Sequence, residues 1–251
     1  MNKIKHKLSK GGVTYGAWLQ IGHLCSAEIL ADAGFDWICV DMEHAAIDIS
    51  GLPSLFAGIE SRGSIPFVRV PENDNIVIRR CVDAGAKGII VPMVNTVLQA
   101  EAAVRSAKYP PQGVRGFGYC RANQYGKNFK NKLTSANDEI TVILQIEHIE
   151  AIQNLEEILS VKGVDAVFIG PLDLSGSMGH PGQLENLEVK HALNRYLTLC
   201  KRMKVPPGLH ILSPDKKSIA KAVKQGYRFI AIGLDVVFLA EGAKCAAASW
   251  K

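Results

Sequence analysis

Two carboxylates placed at the ends of apolar runs decide what chemistry this chain can do. Phe168-Ile169-Gly170-Pro171-Leu172-Asp173-Leu174-Ser175 and, one strand plus one helix earlier, Gln145-Ile146-Glu147 each begin as a β-strand and end in an acid. Acceptor-only side chains delivered from successive parallel strands are what a hard divalent cation needs. With no His or Cys at ligand spacing beside them, Glu147 and Asp173 suit Mg²⁺ or Mn²⁺ that keeps waters and accepts substrate oxygens. Taken singly, each acid could instead cap a helix, Glu147 ahead of Ile149–Leu159 and Asp173 at a turn over Leu174–Ser177. At equivalent positions on adjacent strands, the metal reading is favoured.

Other strand ends are charged as well. Strand one brings Trp18 and Gln20, strand two Asp41, Glu43 and His44, and strand three Arg69. Charges beside apolar strands are costly unless paired or metal-bound, so their gathering on one face marks a site. In Asp41-Met42-Glu43-His44, a carboxylate within reach of the imidazole would set its tautomer. His44 is then a general base or a relay to a metal-bound water. The alternative is an acidic cluster at a helix start. Arg69, if it faces inward, would be held by Glu43 or Asp41 and would stabilise a developing oxyanion. A structural ion pair is the alternative, and both roles can coexist. His23, His148, His180, His191 and His210 rank lower, although His210 lies near a strand end.

A Schiff-base enzyme needs a buried lysine at the C-terminal end of a strand. Lys87 and Lys162 precede strands four and six instead, which favours metal over imine as electron sink. Ile232-Gly233-Leu234-Asp235 offers one glycine, which gives a phosphate-binding loop no support.

These residues need a scaffold that aligns strand ends. The pattern predicts strands at Thr14–Gln20, Trp37–Asp41, Ile65–Val70, Gly88–Pro92, Thr141–Glu147, Asp165–Ile169, Gly208–Leu212 and Arg228–Gly233. Between them it predicts helices near Ser26–Ala33, Ile49–Glu60, Asn75–Ala84, Thr96–Ala107, Ile149–Leu159, Leu187–Met203 and Pro214–Gln225, with a last one over Val237–Ser249. Gly34, Gly85 and Gly226 stand at expected helix C-caps. The count gives a single-domain (β/α)8 barrel. Gly11-Gly12 precedes the first strand, where a doubly wound sheet would have glycines after it. From Tyr109 to Glu139 no periodic element is evident, and this long loop after strand four is expected over the C-terminal face as a lid or a subunit-clasping arm.

The chain has 251 residues, 47% of them hydrophobic, enough for one large core. A net charge of +5 is mild, and the lysine clusters at 3–10 and 127–132 match no nucleic-acid motif. No nucleic-acid partner is expected. Six cysteines form no C-x-x-C pair and no zinc spacing, which points to free thiols in a reducing cytoplasm. No apolar run reaches membrane-spanning length, so no membrane partner is expected.

The segments Gly16-Ala17-Trp18-Leu19, Gly34-Phe35-Asp36-Trp37, Asp41-Met42-Glu43-His44, Val68-Arg69-Val70-Pro71, Tyr109-Pro110-Pro111-Gln112-Gly113, Gln145-Ile146-Glu147 and Gly170-Pro171-Leu172-Asp173-Leu174-Ser175 occur in this order. Together they resemble the HpcH/HpaI family of class II pyruvate-dependent aldolases, over about Gly16 to Leu239. The resemblance implies a barrel that oligomerises, commonly as a hexamer of dimers that exchange their C-terminal helices. It implies Glu147 and Asp173 as ligands of Mg²⁺, Mn²⁺ or the similar Co²⁺. Pyruvate would chelate that ion, with backbone N–H groups around Leu172 and Asp173 receiving its carboxylate and Gly170 and Pro171 lining the same substrate-binding turn. Arg69 looks like the family arginine that steadies the enolate, Gln145 like a neighbour of the oxo-acid, and Trp18 like a pocket wall. His44 resembles the histidine linked to a metal-bound water, with Asp83 of a neighbouring subunit as its carboxylate partner. Departures lie at Met42 and in residues 118–125, stretches expected to bear on the aldehyde.

The expected reaction is reversible aldol cleavage of a 4-hydroxy-2-oxo acid, of the 2-keto-3-deoxy sugar acid type, to pyruvate and an aldehyde. Oxaloacetate decarboxylation and acyl-CoA cleavage would use the same enolate chemistry. A non-catalytic oligomeric scaffold is the alternative from another class. It would have no need of Asp41, Glu43, His44, Arg69, Glu147 and Asp173 at a cavity mouth.

Overall fold

In the computed structural model, which describes residues 2–127 and 129–249, the eight apolar runs become eight parallel strands. They are β1 (Thr14–Leu19), β2 (Trp37–Asp41), β3 (Ile65–Arg69), β4 (Gly88–Val91), β5 (Thr141–Ile146), β6 (Ala166–Ile169), β7 (Pro207–Ile211) and β8 (Phe229–Leu234). They close in chain order, β8 pairing back onto β1.

Strand alternation sorts side chains into two shells. Trp37, Cys39, Phe67, Ile90, Ile143, Phe168 and Phe229 fill the bore. Their neighbours Ile38, Val40, Val68, Ile89, Val142 and Leu144 face the surrounding helices. Trp37 stacks on Phe229 with ring centroids 4.1 Å apart and tilts against Phe67 at 5.6 Å. Rings this large fit because Gly16 and Gly88 carry no side chain. A Cβ on either would stand 2.0 Å from the ring of Trp37 or Phe67, respectively.

The helices are α1 (Lys3–Ser9), α2 (Leu24–Asp32), α3 (Leu52–Ser61), α4 (Asn75–Asp83), α5 (Val97–Ala107), α6 (Phe129–Glu139), α7 (Ile149–Gln153), α8 (Leu155–Ser160), α9 (Pro171–Ser177), α10 (Leu187–Met203), α11 (Lys216–Gln225) and α12 (Asp235–Ala248). α1 was not expected from the pattern. It lays Ile4 and Leu8 against the bore from the N-terminal end, and Asn2 caps it by accepting from Lys5 N. The single helix expected over Ile149–Leu159 breaks at Asn154, whose side chain donates to Asn95 O at 2.9 Å. Gly34, Gly85 and Gly226 take positive φ, as their C-cap positions require.

The long connection between β4 and β5 differs from expectation. It contains α6, and it follows α5, which returns the chain to the N-terminal end of the barrel. There Arg115 pairs with Asp83 at the end of α4 (2.6 Å), and Arg121 with Glu60 near the end of α3 (2.5 Å). These residues therefore lie at the end of the barrel away from the mouth and form no lid over it. Met42 also departs from expectation. Its side chain packs outward in the helix-facing shell, its sulfur 3.7 Å from that of Cys81, and does not enter the bore. Among the described residues no helix is long and apolar enough to cross a membrane.

Candidate active site

The alternation that puts Trp37 and Cys39 into the bore puts Asp41 there too, at the C-terminal rim. Arg69 stands beside it in register on β3. Arg69 Nε donates to Asp41 Oδ1 at 2.9 Å and Nη2 to Oδ2 at 2.7 Å, a two-pronged ion pair. Nη1 lies 3.0 Å from Glu43 Oε2, near enough for charge attraction but off the line of a hydrogen bond. The guanidinium rests 4.3 Å above the Trp18 ring.

Asp41 accepts three further bonds, from Gln20 Nε2 (2.8 Å), Glu43 N (3.1 Å) and His44 N (3.3 Å). Burial alone would raise its carboxyl, but Arg69 outweighs burial and holds it below the usual range. Five donors thus saturate the Asp41 carboxylate, two of them from Arg69. Burial pushes Glu43 up despite Arg69, and the Glu147 charge adds to the rise. The imidazole of His44 does not meet Asp41. It stands at the rim, its side chain 62% exposed, with Nε2 3.9 Å from Glu43 Oε2.

The facing wall is β5 and β6. Inward alternation through Ile143 and Gln145 leads to Glu147, which is buried. Its Oε1 accepts from Met93 N at 2.8 Å, and its Oε2 from Gln145 Nε2. Met93 adopts φ +52°, a left-handed conformation costing about 1 kcal/mol that aims its N–H at the carboxylate. Asp173 sits in the first turn of α9, which starts at Pro171 and not at Leu174 as expected. A Cβ on Gly170 would lie 2.8 Å from Glu147 Oε2 and 3.6 Å from Asp173 Oδ2. The two acids thus flank one small space that only a glycine leaves open.

Gln145 Oε1 and Trp18 Nε1 are buried without a partner, as polar atoms awaiting a ligand or water are. Among the described residues no group of three or more His, Cys, Asp or Glu is arranged around a metal position. Two carboxylates beside an orphaned amide oxygen fit a hard ion that keeps open positions, such as Mg²⁺ or Mn²⁺, and do not make a zinc site.

The structure brings together Trp18, Asp41, Glu43 and Arg69 on one wall and Gln145, Glu147, Gly170 and Asp173 on the other, with Leu172 exposed beside Asp173. Asp83 is not among them. It pairs with Arg115 at the far end of its own barrel. His210, ranked low from sequence, lines the bore 5.8 Å from Trp18. Its parity with Gly208 on β7 was the available signal. Met93 escaped notice because it acts through its backbone. Asp235 did so because a carboxylate after β8 reads as an ordinary helix start, whereas it accepts from Gln20 N, Ile21 N and Ser26 Oγ.

The sequence model for HpcH/HpaI aldolase/citrate lyase matches residues 14–241. The chain belongs to the HpcH/HpaI aldolase/citrate lyase family. The hydroxypyruvate/pyruvate aldolase of Roseobacter denitrificans is 36% identical, with 100% of this chain and 98% of that protein covered. The 4-hydroxy-2-oxo-heptane-1,7-dioate aldolase of Klebsiella pneumoniae is 39% identical over 98% of this chain and 93% of its own length. A crystal structure of an HpcH/HpaI aldolase/citrate lyase family protein from Burkholderia cenocepacia superposes with a TM-score of 0.94 at 33% identity, covering 99% of both chains. This HpcH/HpaI member is an enzyme, a carbon–carbon lyase of the aldolase type. Lys87 and Lys162 precede β4 and β6, at the end of the HpcH/HpaI barrel remote from the carboxylates.

Proposed function

We propose that the chain is a divalent-metal-dependent class II aldolase that reversibly cleaves a 4-hydroxy-2-oxo acid to pyruvate and an aldehyde. The observation that carries this reading is the pair Glu147 and Asp173 around the space at Gly170, with Arg69 on the facing wall. Glu147 and Asp173 would hold Mg²⁺ or Mn²⁺, which when bound supplies Lewis-acid polarisation of a 2-oxo carbonyl. The two named relatives both act on 2-oxo acids by their names, which supports the same substrate class here.

The chain's own groups divide the remaining work. Arg69, fixed by Asp41 and shielded by Trp18, donates to the oxyanion that develops at C2 of pyruvate. The free N–H groups of the first turn of α9, at Leu172 and Asp173, receive the substrate carboxylate, since no side chain caps that helix. Gln145 offers its unpartnered Oε1 as an acceptor for the 4-hydroxyl of the hydroxy-oxo acid or for a water beside it. His44 at the rim, beside Glu43, takes the 4-hydroxyl proton as the C3–C4 bond breaks to release the aldehyde and returns it to C3 of the enolate, and in the reverse direction takes it from C3.

A homo-oligomer, a hexamer with exchanged C-terminal helices, belongs to the same reading. Leu239 is 64% exposed, and most of α12 beyond it is exposed too. In such an assembly Asp83 could reach only a neighbour's His44. Six unpaired cysteines support a reducing, cytoplasmic setting.

The test is exchange of the pyruvate methyl protons in D₂O, followed by ¹H NMR with Mn²⁺ or Mg²⁺ present. EDTA should abolish exchange and either ion restore it. Arg69→Ala should lower the exchange rate by roughly 10²–10³. Exchange that survives both treatments would refute the reading.

A further inference from the structure

We propose that Gln20 and Asp235 are positioning residues that set the aim of Arg69, acting through Asp41. The inference rests on the aldolase reading in taking Arg69 as the oxyanion donor, and it adds two residues belonging to neither the metal pair nor the guanidinium set.

The geometry is a chain of hydrogen bonds that runs from Asp235 to Arg69. The β1 ladder to β8 slips between Gly16 and Trp18 and ends with Trp18 opposite Leu234. Beyond that point the main chain of β8 no longer holds β1. The side chain of the next residue, Asp235, does so instead. Its Oδ1 accepts from Gln20 N at 2.9 Å and its Oδ2 from Ile21 N at 2.9 Å. Ser26 Oγ (2.8 Å) and Val236 N (2.9 Å) complete the set. Asp235 is 5% exposed, so a buried carboxylate with four donors is fully satisfied and rigid.

Clamped at its backbone, Gln20 turns its carboxamide inward and donates from Nε2 to Asp41 Oδ2 at 2.8 Å. That same oxygen takes Arg69 Nη2 at 2.7 Å. Oδ1 is fixed independently by the N–H groups of Glu43 and His44. Besides Arg69 itself, Gln20 is the donor that holds Oδ2, and it completes the restraint on rotation about Cβ–Cγ that the two N–H groups begin at Oδ1. A rotated carboxylate would swing the two-pronged guanidinium away from the space between the walls. Gln20 neither touches the Glu147–Asp173 space nor supplies charge, so its effect should fall on turnover and spare substrate affinity.

Gln20→Met keeps the volume and removes the donor. With Mn²⁺ present, kcat for pyruvate proton exchange should fall roughly tenfold while KM stays within about twofold. The Arg69 Nε–H cross-peak, assigned by its loss in Arg69→Lys, should shift or broaden in a ¹H–¹⁵N spectrum. Asp235→Asn should act in the same direction. The double variant should be no slower than Asp235→Asn alone, because both act through one path. A Gln20→Met enzyme with kcat within twofold of wild type and an unmoved Arg69 signal would overturn the proposal. So would losses that multiply in the double variant. Should wild type show no metal-dependent exchange, the aldolase reading fails. The Arg69 cross-peak still decides positioning, an unmoved signal in Gln20→Met overturning it and a shifted one supporting it.

Discussion

Mild acid should weaken this barrel through His210. The ring lies in the bore against Trp18, and its Nε2 stands 3.1 Å from Gly233 O. Burial is the main cause that pushes the imidazole down to about 4, with Arg69 adding to the effect. In the unfolded chain the same group titrates near 6.5. Between those values the unfolded state binds more protons than the folded one. The stabilisation from a neutral His210 is thus fully present above pH 6.5 and is lost as pH falls toward 4. Linkage over pH 7 to 5 gives a loss of about 2 kcal/mol from this residue alone. Carboxylates such as Asp41, held low by Arg69, keep their contribution from pH 7 to 5 and lose it progressively as pH falls from the ordinary carboxylate range toward their own depressed values. The assay compares urea unfolding of wild type and His210→Gln at pH 7 and pH 5. The glutamine can still donate to Gly233 O but cannot titrate, so the variant should lose about 2 kcal/mol less across that interval. Equal losses in the two proteins would refute a buried neutral imidazole.

Other substitutions probe the scaffold. Gly16→Ala would drive a methyl to 2.0 Å from the Trp37 ring and should destabilise by roughly 3 kcal/mol or more; a variant with wild-type Tm would mean the bore is loosely filled. Met93→Gly should relieve the left-handed backbone at φ +52° and stabilise by up to about 1 kcal/mol, read by urea unfolding, while Glu147 keeps its N–H donor. Asp83→Ala leaves the buried Arg115 without its carboxylate and should cost about 2 kcal/mol of folding stability, since the pair is partly exposed on the Asp83 side. A loss under about 0.5 kcal/mol would show that this ion pair is dispensable.

The site was legible where function and alternation coincide. Asp41, Arg69, Gln145 and Glu147 each continue an inward-facing series of apolar residues, so a period of two both buries the strand and aims the charge. α10 was legible to the residue because Asn186 caps its start and Lys204, in a left-handed conformation, ends it. α6 left no trace because none of its residues is buried, and a helix with no core face shows no apolar period. α1 is too short to establish one. The location of the 109–139 segment was misjudged for a topological reason. Distance from a strand end says little once a helix has carried the chain back across the barrel. The Asp235 clamp on β1 was illegible because it replaces a backbone ladder with a side chain, and no spacing announces that.

The division of the rim between β1–β3 and β5–β6 has a consequence for how the polypeptide could be cut. The guanidinium, Asp41 and Gln20 are encoded before the connection at 108–127, and the acid pair and the Asp235 clamp after it. That connection lies at the opposite end of the barrel, so a break there would sever the chain at the seam between two half-sites. Each fragment would carry half of the apparatus and turn over nothing by itself. Mixed together, the halves could regain activity only by rebuilding the β4–β5 and β8–β1 ladders, which makes fragment complementation a direct gauge of barrel closure.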